Sequence, residues 1–493
     1  MARIYQLQTS IKLRKRYKKR FIQLISLVIA TSLTIIGCSN PETMKSFSGA
    51  NSSSTQNSLN VWWDKGFNPE EDEALRQLVL NWETKTGKKI NLVLYSTDSL
   101  GDKIRRSMKA GNPPDVMMSF KAERSPNSRL AWDNKLVDVS DVVNSVKNLY
   151  PKNILQTVNF YNNVEKKRSY YAVPIHQGTM HIQYWRDLLA EVGRSEKDIP
   201  SSWDAFWEFW KRVQDDLRQK NQQNKQSNNQ SNNQSKIYAL GLTLSPEAGD
   251  TYYLFEQILE AYDVEIVNPQ GKLLIDEPKV RQGIIKVLNW YQRYYQQNYI
   301  PPAALNWLNP DNNRSMLNRE IVMTPNATLS IPVAVRQDAD IYNNHLGTIE
   351  FPNKPSGQPM RHLTMAEQAA ILSESKNQKL AKEFLKYLVQ AKVQKDYLVK
   401  AGGRNSPVFE PAWQDSFWTN PNDPHISTAT KTFREGNIRY FYTSQSPAYS
   451  RVLDKNVWGK AINQVIVSNI SPEEAADKAI QQIKLIYQQW NRE

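Results

Sequence analysis

The chain has 493 residues, with 63 Lys and Arg against 49 Asp and Glu, and one cysteine. A single thiol excludes a disulfide framework and any cysteine-built metal site, and a chain of this length needs no such staples to bury a core. The formal charge of +14 is uneven: residues 1–37 hold eight basic residues and no acid, and subtracting those eight leaves +6, with no basic cluster of the kind a nucleic-acid partner requires.

Lys12 to Arg20 reads KLRKRYKKR, seven basic residues in nine, and Phe21 to Gly37 follows with no charge at all. A basic run, a short apolar run and a small residue form the plan of a bacterial export signal. The apolar run is at the short end for a spanning helix. Ile35, Ile36 and Gly37 stand directly before Cys38. That order resembles the lipobox of bacterial lipoproteins, and the resemblance implies that Cys38 is lipidated and becomes the mature N-terminus. Several acyl chains then hold the protein on a membrane stably. The other readings are an uncleaved anchor helix or ordinary signal cleavage nearby. Asn40 to Ser58 is rich in Ser, Asn and Thr, lacks apolar periodicity, and reads as a tether.

The folded body opens at Leu59. LNVWW is an apolar strand. The next segment predicts a helix: Asn68 caps it, Pro69 takes the first position, Glu71 completes a capping box, Leu75, Leu78, Val79 and Trp82 form its stripe, and Gly87 ends it. KINLVLYS is a second strand, SLGDKIRRSMKAG a second helix, and PDVMMSF a third strand. This alternation predicts an α/β architecture with a parallel sheet. Trp203, Phe206, Trp207, Trp210 and Val213 share one helical face, and the three tryptophans read as core. Residues 219–236 are low in complexity, with SNNQ twice and no apolar residue, and predict a disordered insertion ahead of the strand IYALGLTL. NQKLAKEFLKYLVQ and SPEEAADKAIQQIKLIYQQW are further amphipathic helices, the last opened by a capping box from Ser471 to Glu474. A body this long predicts two lobes.

No catalytic signature appears. The five histidines make no H-E-x-x-H pair, and there is no G-x-S-x-G elbow, P-loop or G-x-G-x-x-G. A glycosidase needs two facing carboxylates, and no pair can be picked from the sequence. A binding protein is the expectation, with no enzyme activity, no metal and no cofactor.

Four segments, in order, carry a resemblance. KAGNPPDVMMSF, YAVPIHQGTMHIQYWRDLLAEVG with the later PSSWDAFWEF, AAILSESKNQKLAKEFLKYLVQ, and AGGRNSPV are similar to segments of bacterial extracellular solute-binding proteins, the receptors of ABC importers. The subgroup resembled is the carbohydrate-binding one, related to maltose-binding proteins, and the match runs from 59 to about 410. The resemblance implies the two-lobed periplasmic-binding-protein fold of type II, hinged around a ligand cleft. It implies a monomer that takes a small-molecule sugar, docks on ABC permease subunits, and faces the periplasm or cell exterior from a lipid anchor. The expected boundaries are 1–37 for the signal peptide, 38–58 for the tether, 59–170 for the first lobe, 171–343 for the second, 344–374 for a return to the first, and 375–493 for the rest of the second.

Open α/β sheets present ligand contacts at the carboxyl ends of their strands. Trp63, Asp64 and Lys65 lie at the first such end, in a WWDKGFN segment that also looks like the D-K-G-Y-N of maltodextrin binders, and Ser119 lies at the third. The resemblance adds His176 and Gln177 after Ala-Val-Pro, Asn326 and Thr328 in MTPNATLS, and Arg404 after Gly402 and Gly403. Glu247 and Tyr252 follow the strand IYALGLTL. Gly402 and Gly403 also fit a helix C-cap turn. The alternatives are the same fold with a polyol or polyamine ligand, or an exported glycoside-active enzyme.

Overall fold

The computed structural model describes residues 57–490 apart from 120, 122, 125 and 229–236, so the leader, Cys38, the tether to residue 56 and the end of the low-complexity stretch lie outside the described residues. Strand β1 (Ser58–Asp64) pairs in parallel with β2 (Lys89–Tyr95) on one side and β3 (Val116–Ser119) on the other. The helices between them are Pro69–Thr86 and Thr97–Lys109. The predicted start and stop of the first helix are both present. Glu71 accepts the Asn68 backbone N–H at 2.9 Å, and Gly87 closes the helix with φ 69°.

After a hairpin of β4 (Asn159–Asn162) and β5 (Lys167–Tyr170), the chain enters β6 (Val173–Thr179) and passes through Met180 into β7 (His181–Trp185). This is the first crossing between the lobes. β6 belongs to a seven-stranded sheet and β7 to a four-stranded one. The second sheet also holds β8 (Tyr238–Leu240), β9 (Ile321–Asn326) and β10 (Leu346–Ile349), in the order β10-β7-β9-β8. The chain returns through β11 (His362–Ile371), which runs antiparallel to both β3 and β6, and ends its strands with β12 (Ser406–Pro407) and β13 (Ile438–Tyr440). Two cores result. One gathers Leu59, Val61, Trp63 and Trp82 with Phe384 and Trp418, and the other gathers Trp207, Trp210, Tyr291 and Trp458. This is the two-lobed type II architecture.

The lobe boundaries differ from expectation. β10, expected in the first lobe, hydrogen-bonds to β7 in the second sheet. Helices Gln378–Leu388 and Ala391–Lys400, expected in the second lobe, pack through Leu380, Phe384, Leu385 and Leu398 in the core of the first. Only the part beyond β13 joins the second lobe, where helix Pro472–Trp490 packs through Ile480, Ile483 and Ile486. The low-complexity stretch is also partly ordered. Helix Trp203–Asn228 runs through its first half, because Gln and Lys favour the helix and no Gly or Pro interrupts it.

Candidate functional site

A cleft of about 210 Å³ opens between the two sheets. The first lobe contributes Lys65, Gly66 and Phe67 beyond β1, Ser96, Thr97 and Asp98 beyond β2, and Lys121 beyond β3. These are the carboxyl ends of three parallel strands. The second lobe contributes Asp250 and Tyr253, Asn309 to Asn313, and Asn326 to Ser330 beyond β9. Arg404 reaches in from the segment before β12. Thr97, Asp98 and Asp250 sit in the first turns of their helices, where backbone N–H groups lack intrahelical partners. The cleft thus offers donors and acceptors on both walls and two aromatic rings, Phe67 and Tyr253.

Contacts bridge the mouth. The Asn309 amide of the second lobe donates to Asp98 of the first at 2.8 Å, and Lys121 donates to the same oxygen at 2.9 Å. The Lys121 ammonium lies where a Cβ on Gly249 would come within 2.8 Å, so glycine there makes room for it. The lobes are therefore closed on each other. Three cations, Lys65, Lys121 and Arg404, face Asp98 and Asp250, with Glu71 directly behind Arg404. Burial raises the Asp250 carboxyl to about 6, while the cations and Asn309 around Asp98 lower that carboxyl despite its burial.

Of the residues expected from sequence, the structure brings Lys65, Asn326 and Arg404 into this cleft, with Thr328 beside them. Asn326 is held by Asn313 and Ser330 and accepts the Thr328 N–H at 3.1 Å. Arg404 follows a turn in which Gly402 and Gly403 have φ of 78° and 74° and their N–H groups cap the preceding helix at Val399 and Leu398. The turn is a helix cap, and the residue after it, Arg404, lies in the cleft lining. The guanidinium donates to Glu71 at 2.7 Å.

The others lie elsewhere. Trp63 is 1% exposed, in the core edge-on to Tyr397. Asp64 and His176 line a space of about 20 Å³ beneath the cleft floor, with Glu367, Tyr397 and Asn405. Burial drives His176 down to about 3 and Glu367 well up, both towards their neutral forms, with the two side chains 3.0 Å apart. Ser119 is buried at the end of β3. The Gln177 amide is used at both ends, donating to the Pro407 carbonyl and accepting from the Tyr440 hydroxyl. Glu247 is exposed outside the cleft lining, and Tyr252 is fully buried. Tyr252 lies on helix Gly249–Ala261 but outside the cleft lining, whereas Asp250 and Tyr253, three apart, share the side turned to the cleft. Asn309 and Asn313 carry no sequence signal that would have marked them.

A larger concavity, about 740 Å³, lies beside Trp413, Lys431 and Arg434, at the amino end of β13 rather than at the carboxyl ends of the strands. The Trp413 indole N–H is already used by the Pro407 carbonyl.

Residues 77–446 match the family described as bacterial extracellular solute-binding protein. The chain belongs to that family. It is 22% identical over 390 residues to a multiple sugar-binding protein of Streptococcus mutans, covering 78% of this chain and 81% of that protein. Among solved structures, an ABC transporter solute-binding protein of Thermotoga lettingae bound with alpha-D-tagatose superposes with a TM-score of 0.70 at 18% identity, covering 87% of this chain and 99% of that one. The maltose-bound MalE3 of T. maritima gives 0.68 at 16% identity, with 87% and 99% coverage. A sugar transporter of Arthrobacter chlorophenolicus with bound laminaribiose gives 0.68 at 12% identity, with 87% and 98% coverage. This solute-binding protein shares their fold, and its cleft occupies the interlobe position described above.

Proposed function

We propose that this solute-binding protein captures a neutral carbohydrate in the cleft between its lobes and delivers it to an ABC permease, tethered to the membrane through a lipidated Cys38. The observation that carries the sugar reading is the cleft lining: paired charges, side-chain amides and hydroxyls around the Tyr253 and Phe67 rings. Aromatic faces suit the C–H faces of a sugar ring, and fixed polar groups suit its hydroxyls. The balance of charge supports the reading over a polyamine. A polycation needs surplus carboxylate, whereas Asp98 is engaged by Lys121 and Asn309. The name of the Streptococcus relative, a multiple sugar-binding protein, and the sugars bound in the solved structures point the same way. The anchor rests on the basic run, the apolar run and Ile35-Ile36-Gly37-Cys38, and mass spectrometry of the mature N-terminus reads it directly.

The test is incubation of the purified protein with a panel of mono- and oligosaccharides, following both melting temperature and products. Saturable stabilisation by at least one neutral sugar without turnover is expected. Turnover would make the protein an enzyme, and stabilisation by polyamines alone would replace the sugar.

A further inference from the structure

Glu123 stands in the loop between β3 and helix Asn127–Trp132, in the first lobe, yet its side chain lies under helix Gly249–Ala261 of the second. It is 6% exposed. One carboxyl oxygen accepts the hydroxyls of both Tyr252, at 2.6 Å, and Tyr253, at 2.7 Å. The other oxygen is buried with no hydrogen-bond partner among the described residues. The cations of its own loop, Lys121 and Arg124, make their ion pairs with Asp98, at 2.9 and 3.6 Å, and both also act on Glu123 at longer range without a hydrogen bond to it. The other charges facing this region are Asp250 from the tyrosine helix, Glu367 from β11, and Asp454, which acts on Arg124. Tyr253 lines the cleft, so Glu123 holds a cleft ring in place from the opposite lobe.

We propose that Glu123 is a proton-carrying clasp, entering the closed cleft as a neutral acid, positioning Tyr253, and tying ligand capture to the uptake of one proton. The proposal rests on the reading of the cleft as the ligand site. An ionised carboxylate would leave one charged oxygen buried and unsatisfied, and a buried charge without a partner is costly. A proton on that oxygen removes the charge, while the other oxygen still accepts both phenols. Burial accordingly raises the Glu123 carboxyl, outweighing the lowering by the two tyrosines, its own backbone and Lys121. When the lobes part, Glu123 meets water and returns towards the ordinary glutamate value of about 4.3. The closed form then binds a proton that the open form has shed. Closure is fully favoured below the open-form value and weakens as pH rises through the window up to the closed-form value. Within that window affinity falls by up to about tenfold per pH unit.

Two readouts test this with the full mature protein. In the first, maltose is titrated against the parent and Glu123→Gln from pH 5 to 8, values set by the about 4.3 reference. The glutamine accepts both phenols but cannot ionise, and Asp250 contributes equally to both proteins. The ratio of parent to variant Kd is expected to climb with pH, and a constant ratio overturns the proposal. The second readout is carbon-13 NMR of side-chain carboxyls, with Glu123 assigned by its absence in the variant, recorded on the free protein and on the protein saturated with the stabilising sugar of the panel. A Glu123 titration that moves above the ordinary glutamate range on saturation is expected, and an ordinary titration in the sugar-saturated protein overturns the proposal. If maltose does not bind, the stabilising sugar of the panel takes its place in both readouts, and if no sugar stabilises the protein the reading of the cleft fails and the proposal with it.

Discussion

Replacing Arg404 by methionine is expected to destabilise the protein by about 3–5 kcal/mol, the usual cost of removing one partner of a buried ion pair. Arg404 and Glu71 are 13% and 7% exposed at their side chains, and the bond between them is 2.7 Å. Glu71 also accepts the Asn68 N–H that starts helix Pro69–Thr86, so its carboxylate cannot swing out to water without opening that helix. Removing the guanidinium strands this negative charge, and the nearby Glu367 loses the cation that acts to lower its carboxyl. Adding Glu71→Gln to the same chain should restore much of the loss, because the stranded charge disappears. Urea unfolding of the two single variants and the double variant measures this. A loss below about 1 kcal/mol for Arg404→Met alone, the scale of an exposed pair, would show that the pair is solvated.

Tyr253→Ala is expected to weaken sugar binding by about ten- to a hundredfold. The ring lines the cleft, and burying an aromatic side chain of this kind against a ligand contributes about 1.5–3 kcal/mol. The substitution also leaves Glu123 with a single phenol donor, from Tyr252. Tyr253→Phe separates the two effects: the ring stays and only the hydroxyl is lost, so binding should fall by much less. Calorimetric titration of both variants with the best sugar of the panel is the measurement. Equal affinity in the parent and Tyr253→Ala would place the ligand away from this ring.

The first lobe's opening was legible in the sequence because each signal is local. Asn68, Pro69, Glu71 and Gly87 mark one helix by capping chemistry, and Val61 and Trp63 mark their strand by alternation. The allocation of later segments was not legible. The run from Val173 to Trp185 is buried throughout and crosses from one sheet to the other at Met180 with no Gly-Pro break and no change of period. Helix Gln378–Leu388 has an apolar stripe that fits either lobe, and only its packing against Trp82 through Phe384 decides. The cleft divides the same way. Lys65 was expected from a strand end and Arg404 from the family resemblance, and both line the cleft. Asn309 and Asn313 reach the site because helix Asp311–Leu317 is carried there by the second sheet, a long-range fact with no local mark. His176 looked like a cleft residue because it follows Ala-Val-Pro, but its strand turns it inward onto Glu367.

The central claim is that two hinged lobes close around a carbohydrate. Closure is a shift in population driven by the ligand's preference for the closed form. Here Asn309 meets Asp98 and Glu123 meets Tyr252 and Tyr253, and each of these contacts must break when the lobes open. Small-angle X-ray scattering of the free protein, and of the protein saturated with its stabilising sugar, measures the change directly. The account predicts a free form more extended than this structure and a sugar-loaded form that matches it. Identical scattering curves with and without saturating sugar would contradict it.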